Sequence, residues 1–331
     1  MHQKLLIRFS RAPLLALIVA LVLLLSACSV SINIPGGSGG SGTSNLTPLQ
    51  VLQKSADVMK TLKSSHIDLK SSTNIQTTGP TPGTTPPVGV SPLPSSSPTS
   101  TASTPTPTTS NVAVTITGSG DEQLPNQEQL RLNMSTLNQN LTLSQIVQDD
   151  KVYVQNPQGK WFVLNKSDFQ GFVGNPVAGI NLDQNSLLGL MLLHSEIIDH
   201  GDEVLNGQSL RHITANLDKT ALRQLLLSNP QLQGAIGQQN IDTVINHLQS
   251  FIASIDVWID GTQFFLHRTQ LKLNLLADLS GTTAPAVPRT INTTLDTTVD
   301  LSKFNIPVSI VPPSNATPTD NPGAVFGIGK P

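Results

Sequence analysis

Val112-Ala113-Val114-Thr115-Ile116-Thr117 and Gln129-Leu130-Arg131-Leu132-Asn133-Met134 each place a larger apolar side chain at every second position, with a small or polar one between. Side chains of an extended chain point alternately to opposite faces, so this period of two marks strands with one apolar and one wetted face. Such half-buried strands build antiparallel sheets. The pattern continues in both directions. Upstream it appears in Ile67-Asp68-Leu69-Lys70. Downstream it runs through Leu141, Leu143 and Val147, then Lys151-Val152-Tyr153-Val154 and Lys160-Trp161-Phe162-Val163. Asp149-Asp150 and Asn156-Pro157-Gln158-Gly159 are the turns between these hairpins. Two more strands, Ile197 to Leu205 and Ser209 to Ala215, are expected around Asn206-Gly207, and another two, Ser254 to Ile259 and Phe264 to Leu276, around Asp260-Gly261. Ile291, Leu295, Val299 and Leu301 put the odd positions of a last strand inward, and prolines 307, 312, 313, 318 and 322 are expected to end the ordered structure.

About ten such strands leave one large apolar side that helices must cover. Thr47-Pro48 is an N-cap followed by proline at the first helical position, and Leu49, Leu52, Ala56, Met59 and Leu62 follow at helical spacing, ending near Lys63. The run Leu187-Leu188-Gly189-Leu190-Met191-Leu192-Leu193 lacks β-branched residues and is too continuous for a surface element, so it predicts a buried or cavity-covering helix. Asp218 caps a helix bearing Leu222, Leu225 and Leu226, and a further helix over 240–252 carries Ile241, Val244, Ile245, Leu248 and Ile252. The fold class is α+β: a large curved antiparallel sheet with helices over its concave apolar face.

The amino-terminal region is read differently. Lys4, Arg8 and Arg11 precede the apolar run Leu14 to Leu25, and Leu25-Ser26-Ala27-Cys28 reads as a lipobox. In that reading residues 1–27 are a signal peptide. The thiol of Cys28, the only cysteine, takes diacylglycerol, and the new amino terminus is acylated, as by palmitate. The apolar run is shorter than the roughly 20 residues a membrane-crossing helix needs. Residues 28–45 form a Gly/Ser-rich tether and 46–313 the folded domain, with a Pro/Thr/Ser insertion at 77–110 holding nine prolines and a disordered tail at 314–331. Losing three of 19 basic residues leaves 16 against 21 acidic, a charge of −5, which argues against nucleic acid or an anionic surface as the main partner.

The domain resembles the lipoprotein family of LppX, LprA, LprF and LprG, a LolA-like half-barrel. The matching places are Leu52, Ser55, Ala56, Leu62, Lys63, Ser64 and His66 around the opening helix, and Asp150 to Val154 with Lys160-Trp161. Gly201-Asp202-Glu203-Val204-Leu205-Asn206-Gly207, Val257-Trp258-Ile259-Asp260 and Asp300-Leu301-Ser302-Lys303-Phe304 complete them. The long insertion and the unbroken apolar segment 187–193 depart from the family. The resemblance implies a U-shaped sheet whose hydrophobic cavity holds acylated lipid or glycolipid moved through the cell envelope. Its wall would include Leu187, Leu190, Met191, Leu222, Leu225, Leu226, Ile241, Val244, Ile245, Leu248, Leu271 and Leu273.

No nucleophile elbow, phosphate loop or dinucleotide fingerprint occurs, so neither an enzyme nor a cofactor is expected. His194, Glu196, Asp199 and His200 lie close together, but at no zinc spacing and across a helix-to-strand boundary, so no metal is expected. The function read here is a monomeric, extracytoplasmic, membrane-anchored lipid carrier. Alternatives are a LolA-like sensor that meets a membrane-protein partner, or a structural surface lipoprotein with a filled core.

Overall fold

The computed structural model describes residues 45–79, 108–136, 140–170, 184–193, 195–228, 241–279 and 290–325. Cys28, the segment read as a signal peptide, the expected tether up to residue 44 and most of the expected insertion lie outside the described residues. The chain opens with α1 (Pro48–Met59). Its cap is reciprocal: the Gln50 amide donates to the Thr47 hydroxyl at 3.3 Å, and the Thr47 amide donates to Gln50 Oε1 at 2.9 Å. Val51, Leu52, Ser55 and Met59 are buried. The helix stops at Met59, where Thr61 and Leu62 bond back to Val58 and Met59 and a strand begins at Ser64.

The strands are β1 (Ser64–Gly79), β2 (Thr108–Gln123), β3 (Gln127–Thr136), β4 (Asn140–Gln148), β5 (Lys151–Gln155) and β6 (Trp161–Asn165). Helices α2 (Lys166–Gln170) and α3 (Gln184–Leu193) follow, then β7 (Ser195–Leu205) and β8 (Gln208–Leu217). Next come α4 (Lys219–Ser228), α5 (Ile241–Asn246), β9 (Leu248–Asp260), β10 (Leu266–Asp278) and β11 (Thr290–Ser302). The chain closes with β12 (Thr317–Pro318) and α6 (Pro322–Val325). All strands join one sheet in the order β12-β6-β5-β4-β3-β2-β1-β11-β10-β9-β8-β7. The two runs of hairpins meet where β1 pairs β11, from His66 opposite Ser302 to Thr78 opposite Thr290. β12 and β7 are the two ends, so the sheet is open. With a twist of about 20–25° per strand, a sheet this wide curls into a half-barrel.

Alternation decides the two faces as expected. Leu69, Leu132, Leu143, Val154, Ile213, Ile255, Leu273 and Val299 join one buried apolar cluster with Val51 and Leu52 of α1 and Leu188 and Met191 of α3. Gly118 makes room for this layer, because a Cβ there would lie 2.4 Å from Cδ2 of Leu132. The outer face is polar. Across it the rings of His200, His212 and Trp258 stack at 4.4 and 4.2 Å, and the Arg268 guanidinium lies 5.8 Å from the Trp258 ring. Arg268 then donates to both carboxylate oxygens of Asp300 at 2.6 and 2.9 Å.

Four expectations are corrected. The helix expected over 240–252 ends at Asn246, and Leu248 opens β9, where it pairs Ala277. Ile252 is consequently an outward strand residue, 69% exposed. The turn at Asp260-Gly261 is a longer loop: positive φ falls on Phe264, at 62°, and Asp260 Oδ1 accepts the amides of Thr262, Gln263 and Phe264 while Oδ2 accepts that of Phe265. At the margins of the 77–110 insertion, Thr77 pairs Ser110 and Gly79 pairs Thr108, so the sheet takes both ends. The segment from 314, expected to be disordered, returns to the fold. Thr317 and Pro318 pair β6 in parallel, the Thr319 amide donates to the Val163 carbonyl at 3.0 Å, and Val325 is buried. Pro318 is tolerated because it occupies an edge strand.

Candidate functional site

The apolar layer between the sheet's inner face and the helices is the candidate site. Leu190 and Met191 of α3, Leu222 of α4, Ile245 of α5, Leu248 of β9 and Leu271 and Leu273 of β10 are all buried in its single cluster. Leu187, Leu225, Leu226, Ile241 and Val244 belong to the same helices, but their side chains lie outside the described residues. α3 is apolar on every side, as its sequence predicts, and it lies against α1, β7 and β8. α4 begins where the Ala221 amide donates to Asp218 Oδ1 at 2.7 Å. It is tied to α5 by Arg223 Nε on Asp242 Oδ1 at 2.7 Å, with both side chains well exposed, and to β9 by Lys219 Nζ on the Leu248 carbonyl at 3.3 Å.

Polar groups interrupt the inner face at three places. In its middle, the hydroxyls of Ser71 and Thr297 satisfy each other at 2.7 Å. Near the β7 end, Arg211 forks onto Asp199, with Nε 2.8 Å from Oδ1 and a second N–H on Oδ2, while the Gly201 amide donates to Oδ1 at 2.9 Å. Burial would raise the Asp199 carboxyl, but Arg211 and the Gly201 amide outweigh it and hold the group below its usual range. The third place lies on β1 to β4. Ser65, Glu122 and Glu128 stand in one cross-strand row, and the Ser65 hydroxyl donates to Glu122. Burial and the Glu122 charge push the Glu128 carboxyl up to about 7, against an opposing pull from Lys166. One row along the same face, Gln145 stands between Leu130 and Val154. It is 8% exposed, and its Oε1 has no hydrogen-bond partner; nor does Oγ of the fully buried Ser55 on α1.

The residues weighed for a metal are engaged elsewhere. Asp199 faces Arg211, His200 Nε2 is 2.8 Å from the Thr214 hydroxyl, and Glu196 accepts from Asn216 at 3.5 Å. His194 lies outside the described residues. A separate open groove of about 640 Å³ lies on β5, β6 and the returning tail, lined by Lys151, Tyr153, Val163, Pro318 and Asp320. Among the described residues, no helix is long and apolar enough to cross a membrane.

No protein-family model matches the chain, and no curated protein matches it. Among solved structures, the chain is similar to LprF from Mycobacterium bovis at 13% identity and a TM-score of 0.39, over 84% of this chain and all of that one. It is similar to the lipoprotein LppX from Mycobacterium tuberculosis at 16% identity and a TM-score of 0.35, over 80% of this chain and 97% of that one. Both belong to the lipoproteins that the sequence resembles.

The acidic end of the inner face was not singled out from sequence, although parity carries the signal. Glu122 and Glu128 occupy inward positions on either side of the Leu124-Pro125-Asn126 turn, and Gln145 falls between the inward Leu143 and Val147.

Proposed function

We propose that this chain is a lipid-anchored cell-envelope protein that shelters the acyl chains of an acylated lipid or glycolipid between the sheet and α3, α4 and α5, and carries it within the envelope. The observation that supports this most is how the helices are held. α3 meets the sheet through buried aliphatic side chains, and the polar ties described for α4 and α5 are a surface ion pair and one lysine on a carbonyl. Exposed ion pairs contribute little, about 0–1 kcal/mol. Apolar contact is non-directional, so acyl chains can replace helix side chains and leave no hydrogen bond unmade, at about 25 cal/mol per Å² kept from water.

Attachment through Cys28 would keep the domain at the bilayer without using the fold, and the Gly-rich tether would let it turn toward its source of lipid. Leu190, Met191, Leu222, Ile245, Leu271 and Leu273 would line the space, with Leu187, Leu225, Leu226, Ile241, Val244 and Leu248 beside them.

Residues 29–331, produced in a lipid-containing bacterial host and purified without detergent, should show a stoichiometric mass of acylated lipid by native mass spectrometry. A clean unliganded mass that persists after incubation with phospholipid vesicles would sink the reading.

A further inference from the structure

Gln145 sits on the inner face without a partner for its side-chain oxygen. Its place on β4 is an inward one: Leu130 of β3 and Val154 of β5 stand opposite it, and Leu143 and Val147 flank it along its own strand. Leu130, Leu143 and Val154 belong to the buried cluster that also holds Leu190, Met191 and Leu222 of the helices. Gln145 is 8% exposed, and its Oε1 is buried with no hydrogen bond. An acceptor taken out of water and left unmet destabilises the fold, and an apolar side chain would satisfy the same alternation without that penalty. No remedy lies close by. The backbone of β3, β4 and β5 is engaged in its own ladders, and Glu128, diagonally across on β3, makes no bond to Oε1. Ser55 on α1 is different, because a helical serine can turn its hydroxyl to the carbonyl one turn earlier.

We infer that Gln145 is a specificity-determining residue whose Oε1 accepts a hydrogen bond from a hydroxyl of the sheltered lipid, so that the ligand is a neutral acyl lipid with a free O–H. This rests on the carrier reading above and names the group that the apolar wall selects. The choice follows from what Oε1 lacks and what surrounds it. An ester, an ether or a bare chain has no donor, and would leave the acceptor sealed from water and unmet. An ionised phosphate or carboxylate also has none, and would bring a charge against Leu130, Leu143 and Val154. An ammonium has donors, but its charge would face the same aliphatic side chains. A hydroxyl supplies one donor with no charge, while the chain that bears it continues over Leu132 and Leu143. A wall built to pair a ligand O–H discriminates against the analogue without it, because the buried group is then left unpaired. Such a hydroxyl stands either at the polar end of a lipid, as on a glyceride, or along its acyl chain, and both present the same donor to Oε1.

The test incubates residues 29–331 with phosphatidylcholine vesicles carrying two probes in equal amounts, and reads loading by native mass spectrometry. One pair, tetradecanol and tetradecyl methyl ether, places the hydroxyl at the chain end. The other, methyl stearate and its mid-chain hydroxylated form, places it along the chain. The hydroxylated member of at least one pair should load about tenfold over its partner, and the pair that shows this identifies the source of the hydroxyl. In Gln145→Met, unbranched and of similar size, the preference should fall below about twofold while loading is retained. The unliganded variant should melt no lower than the wild type, because the unmet acceptor is gone. No preference in either pair overturns the inference and leaves the carrier reading standing. So does a preference that survives Gln145→Met. A melting temperature lowered in both Gln145→Met and Gln145→Leu overturns it as well, since the amide would then be a structural part of the sheet. Failure of every probe to load overturns both readings.

Discussion

Glu128 and Asp260 are both carboxylates partly removed from water, and they respond to pH in opposite senses. Glu128 is pushed up to about 7 from 4.5, chiefly by burial and then by Glu122. Its protonated form is the one the fold prefers, so its contribution is complete below the unfolded value and is lost as pH rises through the folded one. Allowing for its partial exposure, denaturant melts should lose about 2 kcal/mol between about pH 4.5 and pH 7, and Glu128→Gln should flatten that slope. A slope unchanged in the variant would assign the loss to another group. At Asp260 burial also acts upward, but His267 and the amides of Gln263, Thr262 and Phe265 prevail and hold the carboxyl well below its usual range. Its stabilisation is present at neutral pH and is lost only on strong acidification. Asp260→Ala leaves several loop amides without their acceptor and should cost about 2–3 kcal/mol at neutral pH, measured by urea unfolding.

At the scale of elements, α1 and α4 follow directly from caps and apolar spacing, and α3 from its unbroken apolar run: Thr47-Pro48 and Asp218 start their helices as expected. The boundary between α5 and β9 could not be read that way. Ile241, Ile245, Leu248 and Ile252 fit a helical stripe as well as a helix followed by a strand. Pairing with β10 decides for the strand from Leu248, because a full ladder of backbone bonds outweighs one more turn of a short helix. The helical layer also carries the functional test. Ile245→Trp or Leu190→Trp should overfill the layer at a cost of about 1–3 kcal/mol while abolishing lipid co-purification. Lipid retained at wild-type stoichiometry by native mass spectrometry would show that these side chains lie away from the ligand.

In the whole molecule, the carboxy-terminal return is a structural part of the sheet. Deleting residues 314–331 removes the β12 pairing, the Thr319 bond to Val163 and the buried Val325. That deletion should destabilise the domain by about 2–4 kcal/mol and lower its melting temperature by several degrees, whereas an unchanged melt would make the segment dispensable. The sequence by itself determined most of the strands, which side of each is apolar, where α1 and α4 begin, and the lipobox-like pattern that suggests an anchor at Cys28. These are local properties: backbone geometry imposes a period of 2 or 3.6 wherever the segment goes. Only the tertiary structure decided that β1 pairs β11 at the centre, that the chain's end returns to β6, and that Gln145 neighbours a Glu122–Glu128 pair. Those depend on strand order and register, which arise from backbone groups finding partners far along the chain. No periodicity records that choice.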